Sequence, residues 1–280
     1  MTAKKTTTVL AAAASAVLLA ACGGDDEMPA SGYLRVAHLS PDAPAVDFCI
    51  APDGTTAFTG PVMKSLSATA GLAYTQASAY ATVAAGAYDV RIVAPNAASC
   101  ATSLAGLPDI TNLPAVPAGG YVTAAAIGLL GSTATPFQLK AYVDEHVAPT
   151  GKVKLRFAHD SPGTPAVDVG VGQGAAFTPI FTNVAYPGFA APSAIIDANG
   201  YATLDPITAS AASPVDIVAR VTGTTTDALV VPLTIPVAAG TVASAFAVGL
   251  LSSSATPLEV VLCLDNAAVS GAYSTCIVAP

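Results

Sequence analysis

The sequence has no tryptophan and few charged residues, and these shortages exclude several kinds of protein. Only 10% of the 280 residues are charged while 53% are hydrophobic, whereas a disordered chain needs the opposite balance. Glu and Lys are few, and 22 prolines and 23 glycines work against long amphipathic helices. With 10 basic and 18 acidic residues, the net charge of -8 repels nucleic acid. An all-β fold without a nucleic-acid partner is therefore favoured.

The first 22 residues have the pattern of a bacterial lipoprotein signal peptide. Lys4 and Lys5 precede an apolar run over residues 9–21, and the run ends in the sequence LAAC at Cys22. Small residues there admit the lipoprotein signal peptidase, and the cysteine then carries the lipid. A transmembrane helix is the alternative, but this run spans only about 20 Å, less than the roughly 30 Å of a bilayer core. We predict a signal peptide at residues 1–21 and lipidation of Cys22.

Lipid on Cys22 would join the protein to a membrane. Acyl chains such as palmitate on its thiol and amine hold stably where a single chain does not. In Gram-negative lipoproteins, a residue other than Asp after the lipidated cysteine implies sorting to the outer membrane, and Gly23 follows here. Residues 22–32 are small and acidic, which predicts a flexible tether. The expected location is the cell envelope, at the outer membrane facing the periplasm or the surface.

Residues 229–251 form a second apolar stretch that needs an interpretation. The stretch contains Pro232, Pro236 and Gly240, and a proline inside a helix costs about 3 kcal/mol. We interpret it as two buried strands around a turn, with a transmembrane helix as the alternative.

Several segments of the sequence occur twice, and the two copies are always 121 residues apart. RVAHLSPDAPAVDFCI at residues 35–50 returns as RFAHDSPGTPAVDVGV at residues 156–171, and IGLLGSTATPFQLKAYVDE from Ile127 returns as VGLLSSSATPLEVVLCLDN from Val248. One offset held along the chain indicates a tandem duplication of a unit long enough to have its own core. The predicted organisation is repeat 1 at 33–145, a linker at 146–152, repeat 2 at 153–266 and a C-terminal tail at 267–280.

Short apolar segments separated by Gly, Pro, Asn and Asp about every 8 to 15 residues predict β strands. In repeat 1 we predict strands at residues 33–39, 45–51, 61–66, 78–83, 87–94, 110–116, 120–129 and 137–144. In repeat 2 we predict strands at residues 153–159, 166–171, 180–185, 201–204, 215–222, 228–235, 241–250 and 257–264. The predicted fold class is all-β, with two tandem antiparallel β-sandwich domains of immunoglobulin-like type.

The AHxSPxxPAVD turn between two strands and the PAG-Y-V hairpins, in tandem behind a lipoprotein leader, resemble the bacterial and archaeal envelope family catalogued as domain of unknown function 4397. The resemblance covers both repeats, and HLSPDAPAVD is its most specific part. It implies a fold and an envelope location but no activity. Repeat 2 departs from the pattern at Gly163 and Thr164, which replace Asp42 and Ala43. A role that needs the acid of Asp42 is therefore absent from repeat 2.

The repeated motif places a histidine and an aspartate on either side of a turn. We expect His38 to hydrogen-bond with Asp47, and His159 with Asp168, across that turn. The simplest interpretation is a closed sandwich corner, in which His satisfies carbonyls and Asp satisfies loop amides, because an unpaired buried polar group costs about 1–3 kcal/mol. A metal or ligand site is the alternative. Since two ligands are too few for a closed zinc site, no metal and no cofactor is predicted.

The sequence has no recognisable catalytic motif. It contains three histidines and no GxSxG, HExxH or CxxC motif, so the usual nucleophile and metal sites are missing. Asp144 and Glu145 are a candidate carboxylate pair for a hydrolase, but their counterparts are Asp265 and Asn266. We interpret them as a solvated strand end and predict no enzymatic activity.

Four cysteines remain beyond Cys22, an even number in a chain bound for an oxidising compartment. Three pairings are open, and the division into repeats favours Cys49 with Cys100 and Cys263 with Cys276. Four free thiols are the alternative. The second bond would fold the tail onto the last strand of repeat 2, where it would cover a sheet edge.

The predicted function is a lipid-anchored, non-enzymatic structural or binding module of the cell envelope. Its partners are the membrane, through lipid on Cys22, and an envelope protein or glycan. A glycan- or metal-binding module is the alternative, and a hydrolase is less favoured. Because tryptophan is absent and arginine is rare, the nine tyrosines are the best candidates for contact residues.

Overall fold

The computed structural model describes residues 30–111, 113–268 and 271–279. The predicted signal peptide, the lipidated Cys22 and the tether up to residue 29 lie outside these residues. Within the described part of the chain, no helix is long and apolar enough to cross a membrane.

The fold is nearly all β, as predicted. Repeat 1 contains β1 (Ser31–His38), β2 (Asp47–Pro52), the short helix α1 (Val62–Ser65), β3 (Ala81–Ala84), β4 (Tyr88–Val93), β5 (Tyr121–Ile127) and β6 (Gln138–Asp144). Repeat 2 contains β7 (Val153–His159), β8 (Val167–Val171), β9 (Thr178–Val184), β10 (Gly188–Phe189), β11 (Tyr201–Leu204), β12 (Val215–Val221), β13 (Asp227–Leu233), β14 (Val242–Val248) and β15 (Glu259–Leu264). The tail adds β16 (Cys276–Ala279). The apolar stretch 229–251 contains two strands, β13 and β14, as interpreted from its prolines. β14 is largely buried, but β13 has no buried residue, so the prediction of two buried strands is wrong for β13.

Each repeat has a main sheet and a second sheet. The main sheet of repeat 1 has the order β3-β1-β5-β6, and the second sheet is β2-β4. In repeat 2 the main sheet has the order β10-β7-β14-β15-β16, with β11 also on β7, and the second sheet has the order β13-β12-β8-β9. β1 pairs with β5 in parallel, as β7 does with β14, so the purely antiparallel prediction is wrong at this position. Parallel neighbours need a long crossover, and here the crossover contains the strands of the second sheet.

Two predicted strands of repeat 1 are not strands. Residues 61–66 contain α1, whose first N–H groups bond to the side chain of Asp47. The described residues of 110–116, which exclude residue 112, make isolated bridges from Ile110 to Val90 and from Val116 to Gly86.

The main sheets are covered on both faces. Because alternate side chains of a strand point to opposite faces, Val36 lies in the core of repeat 1 while its neighbour Ala37 lies in a different cluster. That second cluster is shared between the repeats: it contains Ala37, Leu39, Ala77, Ala125, Ile127 and Tyr142 from repeat 1 and Ala158, Phe246, Val248, Val261 and Cys263 from repeat 2. The two main sheets therefore pack against each other face to face.

Both disulfides predicted from the repeat organisation are present. Cys49 is bonded to Cys100, and Cys263 is bonded to Cys276. The second bond joins β15 to β16, so the tail is an added edge strand of the main sheet of repeat 2.

Candidate functional site

The repeated arginine of the motif lies at the interface between the repeats. Arg35 on β1 and Arg156 on β7 occupy the same position in the two repeats, and both side chains are fully buried. Arg35 Nη2 donates to Asp265 Oδ1 at 2.7 Å, and Arg156 Nη2 donates to Oδ1 of Asp144. Asp144 and Asp265 are also equivalent positions. Each repeat thus supplies an arginine to the carboxylate of the other.

Each carboxylate is also held by two hydroxyl groups of its own repeat. Asp144 Oδ2 accepts hydrogen bonds from Tyr80 OH at 2.8 Å and from Thr123 Oγ1 at 2.5 Å. In repeat 2, Asp265 Oδ2 likewise accepts hydrogen bonds from Tyr201 OH at 2.7 Å and from Ser244 Oγ at 2.6 Å. The guanidinium carbon of each arginine lies 4.6 Å from the ring centre of the tyrosine in its own repeat. We call these eight residues the clamp: Arg35, Tyr80, Thr123, Asp144, Arg156, Tyr201, Ser244 and Asp265.

Burial and pairing act in opposite directions on the charged groups of the clamp. Burial disfavours the charged form of Arg35, but Tyr80, Asp265 and Asp144 outweigh this effect and raise its pKa. Burial likewise opposes the ionisation of Asp144, and the nearby guanidinium groups of Arg156 and Arg35 hold its pKa below the usual range. Asp265 differs from Asp144, because burial raises its pKa although the guanidinium group of Arg35 acts in the opposite direction. Each arginine thus faces an aspartate of the other repeat in a buried interface.

The predicted hydrogen bonds between histidine and aspartate are wrong. His38 Nε2 donates to the carbonyl of Pro44 at 2.9 Å, and His159 Nε2 donates to that of Pro165 at 3.0 Å. Burial lowers the pKa of both imidazoles, so both rings are neutral at neutral pH. Each histidine therefore closes its turn by satisfying a backbone carbonyl, as in the simplest interpretation of the motif.

The aspartates of the motif accept hydrogen bonds from backbone amides of a helix and of strands, whereas the simplest interpretation expected loop amides. Asp47 Oδ1 accepts from the amides of Phe48 and Met63, at 2.7 and 2.8 Å, and Oδ2 accepts from the amide of Lys64 at 2.9 Å. In repeat 2, Asp168 Oδ1 accepts from the amide of Asn183 at 2.7 Å and from Thr222 Oγ1 at 2.9 Å. Neither aspartate is oriented by its histidine. Amides of α1 and β2 hold Asp47, and an amide of β9 and the hydroxyl of Thr222 hold Asp168.

The serine of the motif has the same role in both repeats. Ser40 Oγ donates to the carbonyl of Gly128 at 2.7 Å, and Ser161 Oγ donates to that of Gly249, also at 2.7 Å. These bonds join the motif to the turn that follows β5 in repeat 1 and to the turn that follows β14 in repeat 2.

Asp144 is not the solvated strand end that we expected. Its side chain is fully buried in the clamp, because alternation along β6 turns it toward repeat 2. Glu145 accepts from Asn199 Nδ2 at 3.0 Å and pairs with Lys154 at 3.3 Å. Both carboxylates are thus engaged in internal contacts.

The described residues include a small cavity and an open groove, and neither is lined by a metal-binding cluster. Among them, no group of three or more His, Cys, Asp and Glu side chains is placed to hold a metal ion. A cavity of about 20 Å³ beside the motif of repeat 2 is lined by His159, Ser161, Thr164 and Glu259, among others, and this is room for a single water. An open surface groove of about 330 Å³ follows residues 94–105 and is lined mainly by alanine, serine and threonine.

Three partly exposed rings stack on one another near the start of β1. Tyr33 stacks on Tyr121 with ring centres 4.3 Å apart, and His146 from the predicted linker stacks on Tyr121 at 3.3 Å. The tyrosine count pointed to such residues in general, but nothing in the sequence brings these three together.

Sequence reasoning missed the clamp although a signal was present. Its members are polar residues within or directly beside apolar strands, and each pair is separated by the same 121 residues as the motif itself. The offset identified the duplication, but it did not show that the two copies face each other.

Residues 32–170 match the sequence profile of a family described as Domain of unknown function (DUF4397). These residues belong to the DUF4397 family. The match covers repeat 1 and ends within β8, directly after the second copy of the motif. The DUF4397 segment therefore contains Arg35, Asp144 and Arg156 of the clamp, while Asp265 lies beyond it. No curated protein matches this sequence.

Two solved structures align with most of this chain at low similarity. One is a proposed cell adhesion protein from Bacteroides fragilis NCTC 9343, with 9% identity, a TM-score of 0.21, and coverage of 85% of this chain and 98% of that chain. The other is a proposed adhesin from Bacteroides ovatus, with 9% identity, a TM-score of 0.21, and coverage of 85% and 94%. At this similarity neither structure informs the function of this chain.

Proposed function

We propose that this protein is a lipid-anchored component of the cell envelope whose two repeats form one rigid, non-enzymatic structural or binding module. One observation carries the proposal: the polar side chains that the two repeats have in common are engaged inside the molecule. The arginines, the acids of the clamp and the motif serines all bond to protein groups. Residues held in this way build a rigid body and are not available for chemistry on a substrate.

The location rests on the leader and on the cysteines. The leader ends in a lipobox at Cys22, and the four remaining cysteines form two disulfides, which persist in oxidising compartments. A short acidic tether follows Cys22, so the module would stand close to the membrane that holds the lipid.

Palmitate labelling of cells that express the full chain tests the anchor. The protein should incorporate radioactive palmitate, Cys22→Ala should abolish incorporation, and Thr7→Ala in the same leader should leave it unchanged. An unlabelled wild-type protein, or equal labelling of Cys22→Ala, would contradict lipidation at this residue.

Thermal unfolding of residues 23–280 with a ligand panel tests the kind of module. Zinc, calcium and soluble envelope glycans are the probes, and a ligand at 100 times its Kd adds about 2.7 kcal/mol. For a chain of this size, that raises the Tm by more than about 4 °C. A structural module predicts no shift with any probe. A shift with zinc or calcium that His38→Ala removes would establish a metal-binding module instead. A glycan shift that Tyr33→Ala removes would establish a glycan-binding one.

A further inference from the structure

The C-terminal residues 271–279, which we call the strap, contact both repeats. At one end, the amide of Ala79 donates to the carbonyl of Ala272 at 2.8 Å, and the amide of Ser274 donates to that of Ala77 at 2.9 Å. At the other end, β16 pairs with β15, and the amide of Leu264 donates to the carbonyl of Thr275 at 3.0 Å. One short segment is therefore hydrogen-bonded to the edge of each main sheet.

Side chains add to the hold of the strap on repeat 1. Tyr273 OH donates to the carbonyl of Gly71 at 2.9 Å, and Ser274 Oγ donates to that of Ser78 at 2.6 Å. Ala272 packs against the core of repeat 1. These contacts are few, and the neighbouring Ile277 and Val278 are 52% and 46% exposed.

The two disulfides differ in their access to solvent. Cys49 and Cys100 are 0% and 9% exposed and lie in an apolar cluster with Val93. Cys263 is also buried, but Cys276 is partly exposed on the edge strand. Thiol–disulfide exchange requires access to a sulfur atom, so a dissolved dithiol reaches Cys276 before it reaches the bond in repeat 1.

We propose that the strap is a redox-controlled latch between the repeats, which a dithiol reductant opens at Cys263–Cys276. One thiolate of the reductant attacks the sulfur of Cys276, and Cys263 leaves as a thiolate and takes up a proton. The second thiolate of the reductant attacks the mixed disulfide and releases Cys276, so the reductant ends as a disulfide and the protein gains two thiols.

An open latch uncovers two sheet edges. Without its covalent tie the strap is held by the short β16 pairing and by the contacts to residues 71–79. Its departure exposes the backbone groups of residues 77–79 and of β15, and exposed edge groups of this kind accept an added strand. Opening of the strap does not depend on the lipid anchor.

Hydrogen exchange during reduction with dithiothreitol tests the latch. Alkylation and mass spectrometry should find Cys263 and Cys276 reduced while Cys49 and Cys100 are still bonded. At that stage the amide of Ala79, which bonds to the strap, should exchange faster by an order of magnitude or more. The adjacent amide of Ser78 is the matched control, because it bonds to Val36 of β1 and should stay protected.

Two results would overturn the latch. One is reduction of Cys49–Cys100 first or at the same rate. The other is unchanged protection of Ala79 once Cys263 and Cys276 are thiols. The Cys263→Ser, Cys276→Ser double variant supplies a second reading without reductant, and its Ala79 amide should exchange as in the reduced protein. Since Ser78 reports on the fold in the same experiment, misfolding is distinguished from opening of the strap.

Discussion

Arg35 and Arg156 lie in an interface made mostly of alanine and other apolar residues, where an unpaired charge costs several kcal/mol. Each is compensated by the acid of the other repeat and by hydroxyl groups that satisfy the remaining lone pairs of that acid. A buried ion pair of this kind adds little net stability compared with apolar residues, but it disfavours every arrangement in which the charges lose their partners. The clamp therefore specifies how the two repeats face each other.

Removal of one charge from the clamp should be far more damaging than removal of a surface charge. Arg35→Met leaves Asp265 buried without its cation, and we expect a loss of about 3–5 kcal/mol in the free energy of unfolding. Lys152→Met breaks the exposed pair with Asp205, where the side chains are 44% and 83% exposed, and should cost less than about 1 kcal/mol. Urea unfolding with both disulfides intact measures both values, and equal losses would contradict the role of the clamp.

Asp160 should make stability depend on pH. It is fully buried at the interface, Tyr142 OH of repeat 1 donates to its Oδ1 at 2.6 Å, and its Oδ2 has no hydrogen-bond partner. Burial raises its pKa to about 7, although Tyr142, Arg156 and Lys140 act in the opposite direction. The folded pKa exceeds the unfolded value of about 3.9, so protonated Asp160 favours the folded state. Its contribution to the free energy of unfolding is complete below about pH 4 and is lost as pH rises through about 7.

Asp160→Asn should remove that dependence. The free energy of unfolding of the variant, relative to wild type, should rise between pH 4 and pH 8, as measured by urea unfolding at each pH. Asp205→Asn is the control for the loss of one negative charge. Parallel profiles for Asp160→Asn and wild type would contradict a raised pKa, because they would mean that Asp160 titrates alike in the folded and unfolded chain.

At the scale of elements, the turn after the central strand of each main sheet depends on glycine. Gly249 follows β14 with φ of +82°, and a Cβ added there would lie 1.9 Å from the carbonyl oxygen of Pro257. A Cβ added at Gly128, after β5, would likewise lie 2.1 Å from the carbonyl oxygen of Pro136. Ser161 and Ser40 bond to the carbonyls of these glycines, so the turn also positions the repeated motif.

Gly249→Ala should cost more than a glycine replacement without a steric neighbour. Gly240 is the matched control, because its φ is +90° and a Cβ there would meet nothing within 4 Å. Gly240→Ala carries only the backbone strain, about 1 kcal/mol, whereas Gly249→Ala also forces the backbone of Pro257 to move. Thermal unfolding should place the Tm of Gly249→Ala clearly below that of Gly240→Ala. Equal Tm values would mean that the close approach has no energetic consequence.

Local sequence patterns predicted where most strands lie in the chain, but they did not predict which strands pair in the sheets. The strands of repeat 2 lie close to the predicted bounds, because each is an apolar run between Gly, Pro or Asp residues. The prediction of a strand at residues 61–66 was wrong, because these residues contain the single-turn helix α1. The amides of Met63 and Lys64 in this helix are satisfied by Asp47, a residue of another element. The parallel pairing of β1 with β5 was also missed, since the pattern within a strand does not encode which strand lies beside it.

The site was harder to predict than the fold for the same reason. The motif residues His38, Asp47 and Ser40 were found by their repetition. Their partners are backbone groups elsewhere in the repeat, and no spacing rule identifies them. The acids of the clamp stand at positions that look like strand ends in the sequence. Only the packing of one repeat on the other buries them.

At the scale of the whole molecule, the two repeats are not independent domains on a flexible linker. They share an apolar cluster, exchange arginine–aspartate pairs and are crossed by the strap. Contacts of this extent couple the stability of each repeat to that of the other, because separation would expose the clamp charges without partners and the apolar faces of both main sheets. A rigid pair is the physical basis for a module that presents a fixed surface beside a membrane.

Differential scanning calorimetry of the disulfide-intact chain tests this coupling most directly. If the repeats form one cooperative unit, heating should give a single transition whose calorimetric and van't Hoff enthalpies agree. Two resolved transitions, or a van't Hoff enthalpy near half the calorimetric value, would mean that the repeats unfold separately and would contradict the account of the clamp as the joint between them.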